Sequence, residues 1–214
     1  MAEIAIVIGN KNYSSWSLRG WLALKAAGVP FEEIFIRFRQ PDTKAQMLAH
    51  SPSGKLPALK HKGAVLWESL AICAFIAEAY PAARLWPQDL AARAHALSVS
   101  AEMHAGFAKL RQNMPMDMRN RYPGKGRAPG VQEDIDRVTA IWRDCRARFG
   151  KGGPFLFGHF TVADCMYAPV VSRFVTYEVA LDPACAAYRD AVWTHPAMQE
   201  WYEAAKREPW VIEE

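Results

Sequence analysis

The sequence predicts a two-part fold, an α/β unit followed by an all-helical unit, and three observations carry that reading. Short runs of β-branched and aromatic residues alternate with apolar helical patterns as far as Pro81. Beyond Pro87 no convincing pair of strands remains, and helical periodicity fills the rest. The composition shifts between Pro81 and Asp89, so the boundary is placed there. Residues 1–81 and 88–214 are then the two expected domains, with 82–87 as linker. In a chain of 214 residues with 51% hydrophobic side chains, a sizeable core is within reach.

In the first unit, Ile4 to Ile8 reads as a strand, and a helix follows over 15–27. Gly28-Val29-Pro30 stops that helix with a C′ glycine and a nearby proline. A second strand spans 31–38, and the polar stretch 40–50 is partly helical or loop. Strands at 57–60 and 64–67 are joined by a tight turn, and the apolar helix 68–80 ends at Pro81. The order β-α-β-(α)-β-β-α describes a thioredoxin-like α/β sandwich. In the second unit, helices are predicted over 89–113, 131–149, 162–177, 183–192 and 196–207. Asp182-Pro183 and Thr194-His195-Pro196 have proline in the first turn, as helix starts do.

Charge and cysteine usage exclude several classes. The net charge is +4 and is spread along the chain. The densest basic cluster, Arg119, Arg121, Lys125 and Arg127, lies among glycines and prolines and reads as a solvated loop. No reading motif accompanies it, so no nucleic-acid partner is expected. No run approaches the ~20 apolar residues of a membrane span, and Met1-Ala2-Glu3 opens no secretory signal. Cys73, Cys145, Cys165 and Cys185 never form C-x-x-C, which disfavours zinc and dithiol chemistry. A reducing cytoplasm fits, and no metal is expected. His50, His61 and His95 have no carboxylate at a catalytic spacing and read as surface groups; His159 and His195 sit beside helix caps.

Four local features carry the chemistry. Tyr13-Ser14-Ser15-Trp16-Ser17-Leu18-Arg19 joins the first strand to the first helix, so its hydroxyls lie at the positive end of the helix dipole. Read alone, one serine there merely caps the helix. In Ser51-Pro52-Ser53-Gly54-Lys55-Leu56-Pro57, a proline opens the third strand. In a thioredoxin-like domain that proline is commonly cis and turns the preceding backbone toward an extended peptide, although proline is also ordinary at an edge strand. At Trp67-Glu68-Ser69, Ser69 and nearby N–H groups suit a carboxylate while Glu68 suits an ammonium group; simple capping is the plainer alternative. Thr161 and Asp164 have capping-box spacing, with Phe160 and Cys165 placed for a hydrophobic staple, a folding device.

Together these residues resemble the cytosolic glutathione transferases over almost the full length of the chain. Ser53-Gly54-Lys55-Leu56-Pro57-Ala58-Leu59, then Glu68-Ser69 before an apolar helix, then the Thr161/Asp164 box, is that family's pattern. Ser14-Ser15-Trp16-Ser17-Leu18-Arg19-Gly20-Trp21-Leu22-Ala23-Leu24 is similar to the zeta-class signature S-S-C-x-W-R-V-R-I-A-L, so the chain looks most like bacterial, serine-type members of that class. It departs from the signature at Trp16, Leu18 and Trp21, where cysteine, tryptophan and a second arginine are usual.

The resemblance implies the following roles. Ser14 or Ser15 donates a hydrogen bond to the glutathione sulfur, with Tyr13 a lesser rival. A one-residue shift of the helix start exchanges the two serines. Leu56 pairs through its backbone with the cysteinyl unit, Pro57 is the cis proline, Glu68 and Ser69 hold the γ-glutamyl end, and Lys55 meets the glycine carboxylate. The electrophile pocket is expected between the halves, where Met103, His104, Phe107, Arg111 and Met114 form one helical face and Trp16 reaches in. Most such faces are core. The implied activity is conjugation of glutathione to a small apolar electrophile. Two alternatives are cis-trans isomerisation of a maleyl-type diacid with glutathione as a returning cofactor, using Arg19 and Arg111, and a non-catalytic interaction module. A two-fold homodimer is the family's usual assembly.

Overall fold

The computed structural model describes residues 3–212, so the outermost positions of the two expected domains lie outside the described residues. The first part runs β1 (Ile4–Ile8), α1 (Ser15–Ala27), β2 (Glu32–Phe35), α2 (Thr43–His50), β3 (Ala58–His61), β4 (Ala64–Trp67) and α3 (Ser69–Ala79). The strands form one mixed sheet in the order β2-β1-β3-β4. β1 pairs parallel with β2, Val7 opposite Ile34, and antiparallel with β3, Ile6 opposite Leu59. β3 and β4 close the sheet as a hairpin.

The two-residue period of β1 divides the core. Ile4, Ile6 and Ile8 join Leu18, Leu22, Ile72 and Ile76 of α1 and α3 on one face. Val7 points the other way, to a smaller cluster with Ile36, Ala58 and Met47 of α2. The result is the helix–sheet–helix sandwich that the element order predicts. Gly28, at φ 68° and with its N–H on the Lys25 carbonyl, ends α1 as expected.

The remaining elements are helical: α4 (Leu90–Ala105), α5 (Ala108–Asn113), α6 (Val131–Phe149), α7 (Val162–Thr176), α8 (Pro183–Trp193) and α9 (Pro196–Arg207). α7 is buried along nearly its whole length and packs against α1, α4 and α8. Its first turn carries the capping box: the buried Asp164 carboxylate accepts from Thr161 N at 2.7 Å and Thr161 Oγ1 at 2.9 Å. It also accepts from Leu156 N and from Tyr188 OH, both at 3.1 Å, which ties the preceding loop and α8 to the same point.

Two expectations are corrected, and two local details are added. The single helix over 89–113 is two, because Gly106 leaves the helix and Phe107 takes φ 60° before α5 restarts. A Cβ at Gly106 would lie 2.8 Å from the Glu102 carbonyl, so the chain turns where only glycine fits. The second strand is shorter than 31–38: it lies at the sheet edge and pairs only with β1, ending where β1 does. Pro81–Ala83, partly assigned to the linker, forms a 3-10 turn. In the helical part, Phe155–Gly158 and Phe157–His159 make isolated β-bridges.

Candidate active site

The helix start is settled by the hydrogen bonds of two serines. Ser14 is the N-cap of α1: its Oγ accepts from Ser17 N at 3.4 Å and donates to Ser17 Oγ at 2.7 Å. Ser17 Oγ accepts in turn from Gly9 N, tying the cap to the end of β1. Ser15 is the first residue inside the helix and is 8% exposed. Its hydroxyl has no hydrogen-bond partner among the described residues. Tyr13 is occupied differently, since its hydroxyl accepts from Arg119 Nη2 at 3.0 Å and from Ile212 N at 3.2 Å.

Across the cleft, the Leu56–Pro57 peptide is cis, ahead of β3. Gly54 precedes it at φ 58°, packed so closely that a Cβ would lie 2.5 Å from Lys44 Nζ. Glu68 takes φ 67° and ψ 121°, a backbone state that costs a non-glycine residue roughly 1–3 kcal/mol and concentrates at ligand-binding positions. Immediately after it, at the first turn of α3, Ser69 Oγ is buried without a partner among the described residues. On a cavity wall, a buried hydroxyl left in that state is available to a ligand group.

These pieces surround one cavity of about 540 Å³, within the usual range for small-molecule sites. Tyr13, Ser14, Ser15, Trp16, Lys55, Leu56, Pro57, Glu68 and Ser69 all line it. The N-terminal ends of α1 and α3 therefore open onto the same space, and both favour negative charge there. Lys55 is exposed at the rim. Phe38, Met47 and Gly54 also line the cavity and were not read from the sequence. The signal for Gly54 was its place in the Ser53–Leu56 run; Phe38 and Met47 have no local signal, because the fold brings α2 and the segment after β2 beside that run.

The electrophile-side residues divide. Met103 is fully buried and Phe107 nearly so; both sit in the main apolar core and neither lines the cavity. The helical face they share is satisfied by packing. His104 and Arg111 instead gather around Trp16. The His104 ring meets the Trp16 ring edge-on at 5.3 Å, and the Arg111 guanidinium lies 5.2 Å from the ring centre. His104 Nε2 is 3.5 Å from Glu68 Oε2. Burial, and then the positive charge of Arg19, lower the His104 pKa, so the contact with Glu68 is made by a neutral imidazole at pH 7.

No protein thiol competes for the site. All four cysteines are free and buried, and none lines the cavity. Burial raises the Cys73, Cys145 and Cys185 thiols to about 12 and Cys165 well above its ordinary value, so none is ionised at neutral pH. Among the described residues no group of histidines, cysteines and carboxylates is placed to hold a metal. No helix among them is long and apolar enough to cross a membrane.

A thioredoxin-like sandwich with a cis proline at a cavity between two helix N-termini, joined to a helical bundle, defines the glutathione-transferase class of fold. Family models agree: residues 13–79 match the glutathione S-transferase N-terminal domain and residues 128–204 the C-terminal domain. The chain belongs to the glutathione S-transferase family. It is 28% identical over 215 residues to glutathione S-transferase GstB of Escherichia coli K12, covering 95% of this chain and 94% of that one. It is 25% identical over 173 residues to a probable maleylacetoacetate isomerase of Caenorhabditis elegans, covering 79% and 78%. A solved bacterial maleyl pyruvate isomerase, described as a zeta-class glutathione S-transferase, superposes with a TM-score of 0.74 over 95% of this chain and 99% of that one, at 23% identity.

Proposed function

We propose that the protein is a glutathione transferase that joins glutathione to a small apolar electrophile, with Ser15 as the hydrogen-bond donor to sulfur. The observation that supports this best is one cavity at two helix N-termini lined by both Ser15 and Ser69, the Ser69 hydroxyl being buried without a partner among the described residues. Glutathione supplies the nucleophile, its thiolate.

The chain's part is to bind, orient and ionise. Residues 1–81 form the binding domain in this reading, and residues 88–214 the domain that completes the electrophile side. Leu56, held by the cis peptide, offers its backbone N–H and C=O to the extended tripeptide. Ser69 and the start of α3 take the γ-glutamyl carboxylate, Glu68 takes the ammonium group, and Lys55 takes the glycine carboxylate. Ser15 donates to the sulfur while the α1 dipole adds positive potential. A free thiol with pKa ~8.5 is only a few per cent ionised at neutral pH. Lowering it by about two units takes ~2.7 kcal/mol, within reach of one charge-assisted hydrogen bond and a helix end. Serine acts here as a donor, so no histidine–carboxylate triad is needed.

The reading extends to a cytoplasmic homodimer. Four unpaired cysteines suit a reducing compartment. Val65 and Trp67 on β4 and Leu90 and Leu97 on α4 are exposed apolar side chains of the kind a subunit contact covers.

Calorimetric titration with reduced glutathione tests the proposal. Saturable binding is expected, and no uptake at millimolar concentration would reject it along with any catalytic reading, leaving an interaction module. A second reading, glutathione-dependent isomerisation of a maleyl-type diacid, is favoured by the buried Arg19 and the half-buried Arg111 against Trp16 and by the names of the isomerase relatives. Turnover of such a diacid without net glutathione consumption would select it.

A further inference from the structure

Arg19 is 1% exposed, and no carboxylate pairs with it among the described residues. Its Nε donates to the Met166 carbonyl at 3.1 Å, while Nη1 is buried with no partner among those residues. Two further cations stand close by, Arg111 and Arg173, and burial together with their charge lowers the Arg19 pKa to about 9. Arg173 Nε is held by the Met114 carbonyl and Nη1 by that of Pro169; Arg111 Nη1 donates to the His104 carbonyl. The acidic groups near this cluster are Asp134, which acts on Arg111, and Glu68, which lies beyond neutral His104. Cys73 and Tyr167 complete the surroundings of Arg19, and neither is ionised at neutral pH. A desolvated guanidinium with an idle donor and no counter-charge is costly, and an anion is what it would bind best.

Trp16 stands between that cluster and the cavity. Its ring centre is 4.4 Å from the Arg19 guanidinium, which sits one helical turn away, and 5.2 Å from that of Arg111. Both contacts are short enough for cation–π attraction, which is strongest where water is excluded. Trp16 lines the cavity and neither arginine does.

We propose that Trp16 sets the substrate class of this site: its indole occupies the approach to Arg19 and Arg111, so the site rejects carboxylate-bearing electrophiles and accepts an uncharged planar one laid against the ring. The inference rests on the glutathione-transferase reading above and narrows it. Shortening residue 16 opens the cavity toward the buried Arg19 guanidinium, with the half-buried Arg111 beside it, and creates a dicarboxylate site.

The test is calorimetric titration of succinate into the full-length protein already saturated with glutathione. The unmodified protein and Trp16→Phe, which keeps an aromatic face, are expected to show no succinate binding at millimolar concentration. Trp16→Cys and Trp16→Ala are expected to bind it at least about tenfold more tightly than the unmodified protein. Adding Arg111→Leu to Trp16→Cys is expected to abolish the gain. Succinate binding by the unmodified protein as tight as by Trp16→Cys overturns the proposal, even if the shortened variants fold poorly. Normal glutathione binding by Trp16→Cys with indifference to succinate overturns it as well. Loss of glutathione binding by the unmodified protein would instead count against the underlying transferase reading.

Discussion

Ser14 donates its hydroxyl proton to Ser17, Oγ to Oγ at 2.7 Å, and the adjacent Ser15 makes no such bond. One serine is therefore spent on the fold and the next remains free on the cavity wall. Replacing Ser14 with alanine removes an N-cap and its link to Ser17, and is predicted to lower stability by about 1 kcal/mol. Glutathione affinity should change little. Urea denaturation and calorimetry on the same variant separate the two effects, and an unchanged midpoint with lost binding would exchange the roles of the serines.

Ser69 presents the opposite balance. Its hydroxyl has no partner among the described residues, so Ser69→Ala relieves a buried unpaired group and should leave the unfolding midpoint level or slightly higher. A hydrogen bond to a charged ligand group contributes ~1.5–3 kcal/mol, so glutathione affinity is predicted to fall by about tenfold or more. Thermal unfolding with and without glutathione reads both quantities. A large loss of stability without ligand would mean that Ser69 is structural.

Asp164 gathers four donors into one buried carboxylate. Asp164→Ala leaves each of them unsatisfied and is predicted to cost about 3 kcal/mol or more, well beyond an ordinary cap. The cavity is untouched, so the folded fraction should bind glutathione normally. Chemical denaturation monitored by tryptophan fluorescence measures the loss.

Asp182 caps α8, accepting from Ala184 N and Cys185 N at 3.0 Å, and pairs with Arg143 at 2.7 Å. The Cys185 N–H and the Arg143 guanidinium hold its pKa down at about 2. A carboxylate depressed in the folded state stabilises fully above its unfolded pKa, near 3.9, and loses that contribution as pH falls toward 2. The stability difference between the unmodified protein and Asp182→Ala should therefore be about 1 kcal/mol at pH 7 and shrink below pH 4. A difference independent of pH would show that the charge plays no part.

Arg119 shows what local pattern leaves out. Among the glycines and prolines of its loop it reads as a solvated charge, yet it donates to the Tyr13 hydroxyl and to the carbonyls of Glu208 and Trp210. Its partners lie at the two ends of the chain, beyond any sequence window. The sheet and most helices were legible because β1 is a short unbroken apolar run and because Gly28, Pro81 and Pro183 punctuate the elements. The break at Gly106 was not, since Phe107 and Leu110 continue the apolar spacing across it. Met103 and Phe107 looked like pocket residues for the same reason: an apolar stripe does not reveal what covers it. Two adjacent serines look equivalent until the helix start is fixed by the bond to Ser17.

The most direct test is a pH titration of the thiolate absorbance of bound glutathione, on the unmodified protein and on Ser15→Ala. A sulfur pKa one to two units below that of free glutathione is expected for the unmodified protein, with most of the shift lost in Ser15→Ala and retained in Ser14→Ala. An identical titration curve for Ser15→Ala and the unmodified protein would contradict the assignment of Ser15.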